Sequence, residues 1–192
     1  MGRLIINAAM TVNGAFEAPA AEPDGWLVTD PDSMQAGRDM WQAADAMVLG
    51  RPTYEGLSVV WPQLAEVPGF EAYAARMNGM PKYVASRSLT GPLGWNSTLL
   101  EGDLATSIDR VKREHDGDLI VPGPGELARE LIARGLVDEF WFTVSPYLWA
   151  DGPRIFDHIG PVRLELVSTT TFPSGVVRLC YRPAPADPSS AE

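Results

Sequence analysis

Short apolar runs, each closed by a turn residue, alternate along this chain with longer stretches of helical spacing. Arg3 to Ala8 is the first such run and reads as a buried strand, followed by an Asn13-Gly14 turn and a loop rich in Ala, Pro and Glu up to about Gly25. Thr29-Asp30-Pro31-Asp32-Ser33 opens a helix, because Asp30 can cap it and Pro31 suits its first position. That helix is expected to reach about Ala44. Ala46 to Leu49 is a second strand closed by Gly50, and a short helix is expected from Pro52. Phe70 to Met77 reads as a helix, Lys82 to Ala85 and Thr98 to Leu100 as strands, and Asp103 to His115 as a helix with Leu104, Ile108 and Val111 on its core side. Leu119 to Val121 is a strand, Pro122 to Gly125 a turn, and Glu126 to Arg134 a helix closed by Gly135.

Strands alternating with helices predict a mostly parallel sheet with helices on both faces. The pattern changes after residue 137. Glu139 to Ser145 is an aromatic-rich strand, and Arg163 to Thr171 and Val176 to Arg182 are two more. Phe172-Pro173-Ser174-Gly175 joins that last pair with turn chemistry, so they form an antiparallel hairpin. The expectation is one α/β domain over 1–183, three layers deep, and a disordered tail over 184–192, because the run from Pro183 onward, PAPADPSSAE, cannot build a core.

Three of the loops that follow parallel strands carry matching chemistry, and such loops gather at one sheet edge where ligands bind. In the first, Gly50 permits a close turn, Arg51 brings a guanidinium fork, Thr53 a hydroxyl, and a helix begins. In the second, Ser86 and Ser88 flank Arg87, a set suited to a phosphate monoester. The third runs Val121-Pro122-Gly123-Pro124-Gly125-Glu126-Leu127 into a helix N-terminus, a recipe for pyrophosphate. Each loop taken alone also reads as an ordinary strand-to-helix turn with solvated polar residues. Together they suit a dinucleotide phosphate: the second loop for the 2′-phosphate, the other two for the pyrophosphate.

The 192 residues carry a formal net charge of -10, which argues against nucleic acid or an anionic membrane surface as a partner. A phosphate-bearing small ligand stays open, since local arginines and helix ends can hold one. The single Cys180 permits no intrachain disulfide and reads as a small core hydrophobe, in keeping with a reducing cytoplasm. The N-terminal run reads as a strand rather than a signal peptide, and no stretch nears the roughly 18 apolar residues of a membrane helix. His115 ends a helix and offsets its dipole. Neither it nor His158 belongs to a cluster at metal spacing, so no metal site is expected.

At this point the chain resembles a known group. Gly50-Arg51-Pro52-Thr53-Tyr54-Glu55 is similar to the Gly-Arg-x-Thr-x-Glu motif of dihydrofolate reductases and of the riboflavin-biosynthesis reductase domain, and Ser86-Arg87-Ser88 to their Ser-Arg loop. Met10-Thr11-Val12-Asn13-Gly14 resembles the Met-Ser-Leu-Asp-Gly segment after the first strand. Leu136-Val137-Asp138-Glu139, then Pro146, then Gly152-Pro153-Arg154-Ile155-Phe156 resembles the ending of the riboflavin branch. The resemblance runs in order from about residue 3 to 182 and favours a stand-alone member of the riboflavin-reductase branch.

The resemblance implies the dihydrofolate-reductase-like fold and an NADPH-dependent reductase of a small aminopyrimidine- or pteridine-like substrate, in the manner of 5-amino-6-(5-phosphoribosylamino)uracil reductase. Gly50, Arg51 and Thr53 would hold phosphates, Ser86, Arg87 and Ser88 the 2′-phosphate, and Gly123, Gly125, Glu126 and Leu127 the pyrophosphate. Substrate would sit by Ala8, Asn13, Trp26 and Asp30, with Asp32 the candidate catalytic carboxylate. Trp26 and Trp61 could stack on a flat ring or simply pack. Relatives commonly pair, so a homodimer is expected, with one face of the Phe140-to-Trp149 aromatics as its surface.

The chain departs from the family pattern in three places. Pro124 removes a backbone donor, Asn13 replaces an Asp, and Trp149-Ala150-Asp151-Gly152 replaces a Leu-Gly-x-Gly. Asn13 and Pro124 keep open a nucleotide-binding protein without turnover, and a true dihydrofolate reductase is a further alternative.

Overall fold

The computed structural model describes residues 1–16, 25–149, 152–155 and 157–185. Phe156 of the family ending, the Ala150-Asp151 departure, and residues 186–192 of the expected tail lie outside the described residues.

The strands are β1 (Arg3–Thr11), β2 (Ala46–Gly50), β3 (Lys82–Ala85), β4 (Ser97–Leu99), β5 (Asp118–Pro122), β6 (Glu139–Ser145), β7 (Leu164–Thr171) and β8 (Val177–Pro183). They form one sheet in the order β4-β3-β2-β5-β1-β6-β8-β7. The first six positions run parallel; β8 is antiparallel to both β6 and β7. The mostly parallel sheet with a C-terminal hairpin is therefore what the pattern predicts. Gly175 turns that hairpin at a φ of 84°, and its N–H donates to the Phe172 carbonyl at 2.9 Å.

The helices are α1 (Pro31–Ala43), α2 (Arg51–Leu64), α3 (Glu71–Gly79), α4 (Leu104–Glu114) and α5 (Glu126–Ala133). Side-chain alternation along the strands divides the core in two. Leu4, Ile6 and Ala8 of β1, Val48 of β2, Leu119 and Val121 of β5, and Phe140 and Phe142 of β6 pack with Ile108 and Val111 of α4 and Leu131 of α5. The odd-numbered Ile5, Met47 and Leu49, with Ile120 and Val84, meet Met77 of α3 and the partly buried Trp41 of α1 and Trp61 of α2. Helices on both faces make the three layers.

Several local expectations change. α2 is a full 14 residues rather than a short helix. Its apolar stripe, Tyr54, Leu57 and Trp61, packs on the second cluster only partly buried, and Pro62 lies in its last turn. Of the aromatics from Phe140 to Trp149, Phe140 and Phe142 pack in the first cluster and the partly buried Trp141 on the second, while Tyr147 is exposed. Trp61 stands edge-on to Tyr73 with centroids 5.0 Å apart, so it packs. Cys180 is only partly buried, opposite Trp141 in the β6–β8 ladder. His115 is the C-cap of α4, and its ring meets the Tyr83 hydroxyl at 2.9 Å. No helix among the described residues is long and apolar enough to cross a membrane.

Candidate functional site

Parallel strands β2, β3 and β5 end at one edge of the sheet, so their loops converge there by topology alone. They enclose a cleft of about 860 Å³, within the ~300–1,000 Å³ range of cofactor pockets. Gly50, Arg51 and Thr53 line it from the first loop, Ser86, Arg87 and Ser88 from the second, and Gly123, Gly125, Glu126 and Leu127 from the third. The sequence places these residues in three segments up to 77 positions apart by number (127 − 50), and the fold brings all of them to one cavity.

Local chemistry explains each wall. α2 starts at Gly50 with no side-chain cap, and α5 starts at Gly125 with none. The first-turn amides of both helices are thus left for solvent or an anion. The two helix starts lie side by side: a Cβ at Gly50 would stand in ordinary contact, 3.5 Å, with the Leu127 Cβ. Gly123 has a φ of 80°, which favours glycine, but its N–H is spent on the Asn7 carbonyl at 2.8 Å. With Pro124 lacking an N–H, the third loop offers an anion the amides of the α5 start rather than those of the turn. Ser86 Oγ accepts the N–H groups of Ser88 at 3.1 Å and Leu89 at 3.0 Å, which fixes the turn that presents Arg87.

The cleft's cations are Arg51, Arg87 and, from the far end of α5, Arg134, which sequence reasoning missed. Arg134 forks between Asp103 at 3.0 Å and Glu130 at 2.8 Å. The Thr106 amide, seconded by Arg134, holds the Asp103 carboxyl below its usual range. Arg87 Nη2 lies 2.8 Å from Glu126 Oε1, and Arg51 3.8 Å from Glu55.

The residues expected on the substrate side are not gathered into this cleft. Ala8 is 2% exposed and faces the α4–α5 core. Asn13 is committed to the main chain: its Nδ2 donates to the Trp149 carbonyl at 2.6 Å and its Oδ1 accepts the Trp149 N–H at 3.1 Å. Trp26 is 5% exposed, so its ring offers no stacking face. Asp30 caps α1 through the amides of Asp32 and Ser33 and also accepts the Ser174 hydroxyl, which depresses its pKa. Asp32 is an exposed first-turn residue of α1. Strand alternation puts Ala8 in the α4–α5 core, while its neighbour Asn7 shares the Ile5 face toward α1–α3. Asn7 is half-buried between Pro122 of β5 and Trp141 of β6, and its amide side chain makes no hydrogen bond among the described residues. A single polar residue in the run Leu4 to Met10 was the available signal.

The model of the RibD C-terminal domain matches residues 3–178. The chain belongs to that family. Among curated relatives of the RibD C-terminal domain protein is the uncharacterised YyaP of Bacillus subtilis (strain 168), 27% identical over 184 residues, 93% of this chain and 94% of YyaP. Among solved structures, a protein from Shewanella sp. PV-4 assigned to riboflavin biosynthesis superposes with a TM-score of 0.73 at 20% identity, over 95% of this chain and 99% of that one. Dihydrofolate reductase of Enterococcus faecalis, solved with NADP(H), has a TM-score of 0.58 at 17% identity, over 95% and 96% of the two chains. The fold is thus dihydrofolate-reductase-like, and the family places it with the reductase domain of riboflavin biosynthesis.

Proposed function

We propose that this RibD C-terminal domain protein is an NADPH-dependent reductase of a small aminopyrimidine- or pteridine-like heterocycle. The observation that carries the reading is the convergence of three loops, two uncapped helix starts and the arginines 51 and 87 on one cleft. Such a cleft suits a ligand with two separated phosphate groups. Arg51, Thr53 and the amides of the α2 and α5 starts would hold the pyrophosphate, and Arg87 with Ser88 the 2′-phosphate. When bound, the dinucleotide supplies a hydride for a C=N or C=O carbon. The chain's part is to orient donor and acceptor and to exclude water. Asn7, midway along β1 where the neighbouring β5 ends at Pro122, has a side-chain amide without a hydrogen bond among the described residues and is the chain's own candidate for orienting the substrate: a carboxamide both donates and accepts, matching the edge of a neutral lactam ring.

A second reading, nucleotide binding without turnover, draws on Asn13 and Asp30, whose side chains are spent within the fold. Titration of the purified protein with NADPH and NADH, followed by tryptophan fluorescence, tests both. NADPH bound much more tightly than NADH supports the site, and a turnover screen then separates reductase from binder. Failure to bind either nucleotide would sink both readings.

A further inference from the structure

The three arginines of the cleft are all paired with carboxylates, but the pairs differ in kind. Glu55 lies one turn from Arg51 and Glu130 one turn from Arg134, so those carboxylates travel with their arginines, and the second partner of Arg134, Asp103, is itself held by the Thr106 amide at the start of α4. Arg87 and Glu126 are 39 positions apart. Arg87 stands on the loop after β3, and Glu126 is the first residue of α5, on the opposite wall. Their 2.8 Å contact therefore spans the cleft from one phosphate-binding loop to another. The Glu126 carboxylate also sits at the uncapped α5 N-terminus, where the helix dipole favours an anion.

We infer that Glu126 is a stand-in anion that sets the preference between NADPH and NADH. The inference rests on reading the cleft as the dinucleotide site. A 2′-phosphate needs the Arg87 fork and must displace Glu126 from it. A nucleotide with a plain 2′-hydroxyl makes no such demand and leaves the pair intact. Glu126 thus taxes the phosphorylated cofactor alone, and the tax passes through Arg87. Both side chains are largely exposed, 84% and 78%, so each can swing away without disturbing the core. An exposed ion pair is worth a factor of about two to five in an equilibrium, less as salt rises.

The test is a double-mutant cycle. NADPH and NADH affinities are measured at low ionic strength for wild type, Glu126→Gln, Arg87→Ala and the double variant. Glu126→Gln is expected to tighten NADPH about three- to fivefold and NADH less than about twofold, with the NADPH gain absent when Arg87 is already alanine. If wild type binds NADPH and Glu126→Gln binds it no tighter, the inference fails while the cofactor site stands. A gain shared equally by NADH, or one that persists in the Arg87→Ala background, also overturns it, since Glu126 would then act by general repulsion. If no variant binds either nucleotide, the proposed function falls and the inference with it.

Discussion

Replacing Lys82 with Met should stabilise this protein at neutral pH, although it deletes two visible interactions. Lys82 opens β3 and is 1% exposed. Its ammonium donates to the Asn78 carbonyl at 2.9 Å and lies 4.1 Å from the Trp95 ring centroid, with no carboxylate in the ion pairs found among the described residues. Burial pushes the amine down to about 8 from its ordinary 10.5. At about 1.4 kcal/mol per pKa unit, the charged form costs the fold about 3 kcal/mol. Methionine keeps the unbranched stem and drops the charge. It leaves the Asn78 carbonyl without that donor, a loss of about 1–2 kcal/mol, so the net gain at pH 7 is about 1–2 kcal/mol.

The sign with pH follows from proton counts. Below pH 8 folded and unfolded chains both hold the proton, and the full penalty stands. Between about 8 and 10.5 only the unfolded chain holds it, so wild-type stability rises with pH relative to the variant and then levels off. Urea unfolding of both proteins at pH 7 and pH 10 measures the difference, in which other titrating groups cancel. A variant that is less stable at pH 7, with a gap to wild type that does not change with pH, would refute the reasoning: Lys82 would then be charged at little cost.

Arg51→Ala and Arg87→Ala should each weaken NADPH binding about tenfold or more, since a charged phosphate contact is worth about 1.5–3 kcal/mol; only Arg51→Ala should weaken NADH comparably, and calorimetric titration reads both. Asn13→Asp should destabilise by about 1–3 kcal/mol in urea unfolding, because an acceptor-only side chain would face the Trp149 carbonyl that Nδ2 now satisfies. Asp30→Ala should lower the melting temperature at neutral pH by removing the α1 cap and the Ser174 partner. Because the Asp30 pKa is depressed in the fold, its stabilisation is present above the usual carboxylate range and fades as pH falls through the lowered value, so melting curves of the two proteins should converge in acid.

Much of this protein is written locally. The α1 start at Asp30 and Pro31, the Gly135 stop after α5, and the Phe172–Gly175 hairpin turn all depend on contacts within a few residues, which one sequence displays. The loops of the cleft were legible for a related reason: a glycine, an arginine and a helix start are local features, and parallel topology does the rest by delivering them to one edge. The tertiary structure alone decided which polar groups are already spoken for. Asn13 looks free until β6 brings the Trp149 backbone beside it, and Asp30 until the β7–β8 turn brings Ser174. It also decided which way β1 faces, placing Ala8 in the core and leaving the Asn7 side chain without a hydrogen bond among the described residues on the other side. A shift of one residue along a strand exchanges the faces, and in a nearly all-apolar run the lone Asn7 marks one face without saying which helices cover it. The Arg87–Glu126 pair is of the same kind, since two side chains 39 positions apart meet only after the sheet sets β3 and α5 across one cleft. Propensity and capping act between near neighbours, whereas partnership between distant polar groups is a product of how the layers pack.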